Sequence, residues 1–181
     1  DICEYKWKFK SYRMQSKLIL ATTVCLIIFP ACFFFFADFQ HLPVKSRFLA
    51  SVFQSVTPRT AGFNTVDITM MTEASKVVMI LLMLIGGSPG STAGGMKTTT
   101  FAVLLLNAVA TFKSQEHAGA FGRRIDDQVI KNAASIAMLY FMMFLAGGIV
   151  ISTAEGLPIL GSLFEAASAM GTVGLTLGIT P

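Results

Sequence analysis

The chain has 181 residues, 54% hydrophobic and 13% charged, about half the ~25% charge of ordinary soluble domains, which argues against a soluble enzyme. Its net charge of +4 would suit nucleic acid. The basic residues, however, fall in two clusters beside apolar runs, where they read as strips facing anionic lipid, so the bilayer and no nucleic acid is the expected partner.

A basic leader, residues 1–17, carries Lys6, Lys8, Lys10, Arg13 and Lys17. The first predicted span follows at 18–37, an uncharged run from Leu18 to Ala37 long enough to cross a ~30 Å hydrocarbon core at about 1.5 Å per residue. The run is too long for a secretory signal, ends at Asp38 without a small-x-small cleavage pattern and leads into more membrane sequence, so it is expected to be retained. A second polar segment, the linker 113–131, holds Lys113, Arg123, Arg124 and Lys131. Short Lys/Arg-rich segments stay cytoplasmic, which puts both this linker and the N-terminus inside. Cys3, Cys25 and Cys32 show no metal or disulfide spacing and are expected to be small buried hydrophobes. His41 and His117 lie in polar segments and are expected to be solvated.

Past His41, Pro43 and Lys45, the predicted half-helix 47–57 has an apolar stretch, Phe48 to Val56, too short to cross a bilayer. It leads into a loop at 60–64. Extended backbone at membrane depth is tolerated only where it is buried in protein or lines a water-filled cavity, so this segment reads as re-entrant.

The return segment, 72–112, is a broken span. Val77 to Ile85 and Thr98 to Phe112 are apolar helix candidates. Between them lies Gly86, Gly87, Ser88, Pro89, Gly90, Ser91, Thr92, Ala93, Gly94, Gly95, Met96 and Lys97. Proline and glycine at this density end a helix, and the break is expected to leave amides and carbonyls that need water, ions or protein. After the linker comes a third span at 132–154, a half-helix at 157–169 and a loop at 171–176. The first pattern thus recurs: Phe53 to Thr57 lies on Phe164 to Ser168 and, with a one-residue gap, Thr60 to Phe63 lies on Thr172 to Leu175. The unit is helix, pore helix, Thr-x-Gly loop, helix. Its second copy reaches Pro181 without a closing helix.

The Thr-x-Gly loops have a physical purpose in such a unit. Main-chain carbonyls can replace the hydration shell of a potassium ion, and glycine permits the backbone angles that aim them inward. Other chemistries fit the glycine run poorly. A phosphate-binding loop needs glycine where Met96 precedes Lys97, and it follows a strand. An intramembrane serine protease built on Ser88 or Ser91 lacks a nearby base. Gly86, Gly90 and Gly94 are spaced for close helix packing, but Pro89 interrupts any continuous helix. Asp38, Asp67, Glu73, Glu155 and Glu165 fall on the expected outer side, Asp67 and Glu165 closest to the loops. Arg59 is expected to tie the first loop to a carboxylate or a carbonyl.

Thr57 to Asn64, Gly86 to Thr100 and Ser168 to Pro181 together resemble the pore-forming subunits of the Trk, Ktr and HKT superfamily of potassium transporters, the Ktr branch most of all. With the spans between, the resemblance covers essentially the whole chain. It implies an all-α integral membrane protein of four helix–pore-loop–helix repeats around one pore, of which this sequence supplies the third and the start of the fourth. Thr60, Ala61, Gly62, Phe63, Thr172, Val173, Gly174 and Leu175 would then be selectivity-filter segments holding K+ through backbone carbonyls. Residues 86–97 would be an intramembrane gate, in which Lys97 lines the path or reaches toward water. The resemblance further implies potassium uptake across the cell membrane rather than enzymatic catalysis. It implies no covalent cofactor, Na+ as an activator in Ktr members, a homodimer and a cytosolic nucleotide-binding regulatory ring. A reading from another class is a non-conducting membrane module whose glycines serve packing.

Overall fold

A computed structural model of the chain describes residues 12–115 and 117–178; Cys3, Lys6, Lys8, Lys10 and Pro181 lie outside them. The described residues are mostly helical, with almost no strand. Helix α1, Met14–Ala37, and helix α5, Asp127–Glu155, are the two helices long and apolar enough to cross a membrane. Each starts before its apolar run. Asp126 caps α5 by accepting from the Gln128 amide at 3.1 Å, Asp127 pairs with Arg124 at 2.9 Å, and this polar first turn carries the helix out to position 127.

Both long helices turn apolar side chains outward. Phe29 on α1 is 73% exposed and Met143 on α5 is 65% exposed, a surface that suits lipid or protein rather than water. The two described cysteines follow the same pattern. Cys25 and Cys32 are exposed rather than buried, because α1 buries only Leu18, Pro30, Ala31 and Phe34.

Helix α2, Val44–Val56, begins after Pro43, whose fixed φ suits a helix start. It packs back along the end of α1. Arg47 secures the pair: its Nε donates to the Phe35 carbonyl at 2.6 Å, and its guanidinium lies 4.0 Å from the centre of the Phe35 ring. The burial of α2 is inverted. Ser51, Gln54 and Ser55 are buried while Phe48 and Leu49 are exposed, so its polar face looks into the protein.

The return segment forms α3, Glu73–Leu84, and α4, Thr98–Phe112. Thr72 caps α3 through the Ser75 amide, and Asp38 at the end of α1 accepts from the Thr72 amide at 2.9 Å and from the Ser75 hydroxyl. In the linker a small hairpin appears where the sequence predicted none: β1, Gly119–Ala120, pairs antiparallel with β2, Arg123–Arg124. Phe121 and Gly122 both have positive φ, as a two-residue hairpin turn of type I′ requires. Helix α6, Ile159–Met170, follows a left-handed turn at Gly156.

Helix α6 packs on α5 as α2 packs on α1, α3 lies against α6, and α4 touches both α1 and α5. Two apolar cores result. One gathers Phe34, Met79, Met83, Phe144, Phe164 and Leu175; the other gathers Leu18, Ala102, Val103, Ile125 and Ala133.

Candidate functional site

Each Thr-x-Gly loop grows out of the C-terminal end of a short helix. In the first, the Thr57 carbonyl accepts from the Ala61 and Gly62 amides at 3.2 and 3.0 Å, and Thr57 Oγ1 donates to the Phe63 carbonyl at 2.6 Å. The chain therefore winds around Thr57. In the second, Val173 N donates to the Ser168 carbonyl at 2.9 Å and Thr172 N to the Ala169 carbonyl at 3.1 Å. Backbone angles repeat with the motif: φ is +65° at Thr60 and +71° at Gly62, then +51° at Thr172 and +86° at Gly174. A threonine in the left-handed region is uncommon, and it occurs at the matching position of both loops.

The two loops meet. A Cβ built on Gly62 would overlap the Val173 carbonyl oxygen, so only glycine fits there. Gly174 has open space around its missing Cβ and needs glycine for its backbone angle alone. Val173 and Leu175 bury their side chains, whereas Phe63 exposes its ring.

The glycine-rich loop lies against the second of these loops. Gly94 N donates to Thr172 Oγ1 at 3.0 Å. A Cβ on Gly94 would come within 2.6 Å of that oxygen and 2.8 Å of the Gly171 carbonyl oxygen, while one on Gly171 would meet the Met83 carbonyl oxygen at 2.7 Å. Main chains from residues 83, 94 and 171 thus stack with no side chain between them.

The break in the return segment satisfies more of its own backbone than the sequence led us to expect. Gly86 N donates to the Met96 carbonyl at 2.8 Å, Met96 N to the Leu84 carbonyl at 3.0 Å and Thr98 N to the Gly87 carbonyl at 3.2 Å. These bonds close the base of the loop. At its tip, Ser91 N donates to the Ser88 carbonyl at 3.1 Å beside Pro89 and Gly90, the latter with φ +84°. Thr92 is exposed, and Gly95 has φ +77°. Lys97 Nζ folds back to donate to the Ser91 and Ala93 carbonyls at 3.2 and 2.6 Å.

Of the acids near the loops, Asp67 and Glu165 each hold hydrogen bonds. Asp67 Oδ1 accepts from the Thr69 hydroxyl at 2.6 Å and from its amide at 2.9 Å, which holds this exposed carboxyl below its ordinary range. It lines a cavity with Asp38, His41 and Met70. Glu165 is only 5% exposed and lines a different cavity, of about 550 Å³, with Thr172, Gly174 and Thr176. Arg59 has a buried Nε that meets no hydrogen-bond partner among the described residues, so the expected tie to a carboxylate or carbonyl is not made by this atom. Thr57 and Gly171 were missed as structural pivots, although the alignment of the two units had already placed Thr57 opposite Ser168.

The sequence profile of the TrkH family, described as cation transport protein, matches residues 12–181. Ktr system potassium uptake protein B of Bacillus subtilis is 36% identical over 180 residues, covering 96% of this chain and 40% of that protein. Potassium/sodium uptake protein NtpJ of Enterococcus hirae is 36% identical over 190 residues, covering 100% and 42%. Ktr system potassium uptake protein B of Vibrio alginolyticus is 30% identical over 179 residues, covering 95% and 39%. The chain spans about 40% of the length of these curated relatives.

Proposed function

The chain belongs to the TrkH family of cation transport proteins, and from that premise we propose that it builds part of a potassium uptake pore in the cell membrane. Residues 18–112 form one helix–pore-loop–helix unit and residues 132–181 the beginning of another. In this reading α2 and α6 are pore helices, Thr60–Phe63 and Thr172–Leu175 are two filter segments, and K+ passes by exchanging water for main-chain carbonyls. One observation carries the reading: the same left-handed Thr, left-handed Gly turn stands at the end of two half-helices 112 residues apart in the sequence, and the two turns touch at Gly62 and Val173. Packing glycines alone would not require a threonine at positive φ in both copies.

The glycine-rich loop, docked on Thr172, is the gate of this pore. Lys17 Nζ lies 5.9 Å from the Phe121 ring centre, so Lys17 and the linker share one end of the molecule, which supports a common cytoplasmic side under the charge rule. A cation between these loops meets neutral oxygens, and the work done on it is dehydration and rehydration, with no bond chemistry and no covalent cofactor. By the family resemblance the full-length protein is a homodimer that answers to a cytosolic nucleotide-binding ring, with Na+ as activator.

The test is uptake of rubidium and sodium into liposomes carrying the full-length protein with its regulatory partner, compared with Gly174→Ser. Selective rubidium uptake that becomes sodium-permeable in the variant supports the filter assignment. A folded wild-type protein that takes up no rubidium overturns it and leaves the glycines as packing residues.

A further inference from the structure

We propose that Glu165 is the residue that positions the second filter segment and thereby sets its cation preference, a step that rests on the filter reading of residues 172–175. A carboxylate on a side chain that is only 5% exposed is costly unless its oxygens are satisfied. Glu165 meets that need with the stretch of chain that leaves the second loop. Its Oε1 accepts from Thr176 Oγ1 at 2.7 Å and from the Leu177 amide at 2.9 Å, and Thr176 Oγ1 in turn accepts from the Gly178 amide at 3.0 Å. Bonds to an ionised acceptor are roughly twice as strong as neutral ones.

These bonds fix a direction as well as a place. The Leu177 N–H and the Thr176 carbonyl share one trans peptide plane and point opposite ways. Holding the N–H toward Glu165 therefore turns the Thr176 carbonyl away from α6. The other end of the segment is already anchored to the same helix, through Thr172 N on Ala169 and Val173 N on Ser168. Residues 172–177 are consequently held at both ends, with Gly174 between the anchors.

The first loop lacks this device. Gln54, the residue aligned with Glu165, is 1% exposed and donates to Met79 Sδ at 3.1 Å, while the first loop is held by Thr57 donating to the Phe63 carbonyl. There the anchor engages a carbonyl of the filter segment itself. In the second loop the anchor takes an amide and a hydroxyl beyond the segment rather than one of its carbonyls. Glu165 thus acts from behind the loop, as a hydrogen-bond acceptor, rather than as a solvated vestibule charge that concentrates cations.

The experiment measures rubidium and sodium uptake by the full-length protein with its regulatory partner, in wild type, Glu165→Ala, Glu165→Gln and Thr176→Val. Glutamine keeps an acceptor at the same place, so the rubidium-to-sodium ratio should fall about tenfold in Glu165→Ala, in line with loss of hydrogen bonds to a charged group, and stay near wild type in Glu165→Gln. Thr176→Val should lower the ratio in the same direction with the carboxylate intact, and it keeps the question answerable if Glu165→Ala does not fold. Equal loss of both fluxes at an unchanged ratio in Glu165→Ala or Thr176→Val overturns the positioning role, as does a Glu165→Gln variant as unselective as Glu165→Ala. Absence of rubidium uptake in the wild type itself overturns the underlying filter reading, an outcome distinct from selective wild-type uptake with indifferent variants.

Discussion

The amide of Gly94 donates to the hydroxyl of Thr172 at 3.0 Å across 78 residues of sequence, and a side chain on Gly94 would strike that same hydroxyl and the carbonyl oxygen of Gly171. Gly94→Ala should therefore separate the glycine-rich loop from the second Thr-x-Gly loop, since a carbonyl in a fixed turn has little freedom to move aside. Forced overpacking of this kind costs about 1–3 kcal/mol. The expected outcome is a lower melting temperature for the full-length protein in detergent and faster rubidium uptake if the loop is a gate. Thr172→Val removes the bond without adding volume and should raise uptake with a smaller loss of stability. Uptake unchanged in both variants would remove the gate from the reading.

Gly62 and Gly174 occupy matching places in the two loops but are demanded by different constraints. At Gly62 the angle is left-handed and the Val173 carbonyl fills the Cβ position; at Gly174 the angle is left-handed and the space is open. Gly174→Ala should cost about 1–2 kcal/mol, the price of a left-handed L-residue, whereas Gly62→Ala should cost more and move the second loop as well. Thermal unfolding of the two variants checks the ranking. Equal losses would show that the loops yield at Val173.

Much of this architecture was legible in the sequence, and the part that was not has a common cause. Uncharged runs revealed α1 and α5, and the density of glycine around Pro89 marked the ends of α3 and α4 to within a residue or two. The sequence aligned Thr60 with Thr172 by residue type, and both have positive φ. Helix starts were misplaced where polar residues such as Asp126 and Asp127 extend the first turn by capping. The hairpin escaped notice because its strands are two residues long and its turn is Phe-Gly. Contacts between distant loops, Gly94 with Thr172 and Gly62 with Val173, depend on how units pack, which local periodicity does not encode. The sequence placed Glu165 close to a loop but could not show its partners for the same reason: Thr176 and Leu177 are brought to it only when the chain turns back along α6.

The turn at Ile68–Met70 should depend on pH. The hydroxyl and the amide of Thr69 hold the Asp67 carboxyl below its ordinary range, so the ionised form is the one the fold favours. Its contribution is present at neutral pH and is lost as pH falls through the lowered folded-state value. Hydrogen exchange at the Thr69 amide should accordingly stay slow as pH falls through the ordinary Asp range, about 3.9, and quicken below it relative to unstructured amides. Asp67→Asn should abolish this pH dependence. A transition at the ordinary value in the wild type would mean that the two bonds do not discriminate between the charged and neutral acid.

Lys97 precedes the first turn of α4, where a positive charge opposes the helix dipole. The position is nevertheless filled by a lysine whose Nζ reaches the carbonyls of Ser91 and Ala93, so the cation is compensated by oxygens of its own loop. It acts as a cross-link between the base and the tip of the glycine-rich loop. Lys97→Met keeps the length of the side chain and removes the donor, which should quicken hydrogen exchange across residues 88–95 by about tenfold, the effect of losing a hydrogen bond that involves a charged group. Lys97→Arg restores donors and should restore protection. If the loop is a gate, rubidium uptake should follow the same order, fastest in Lys97→Met and near wild type in Lys97→Arg. Exchange and uptake both unchanged in Lys97→Met would show that the two bonds hold nothing and that the ammonium simply reaches toward water.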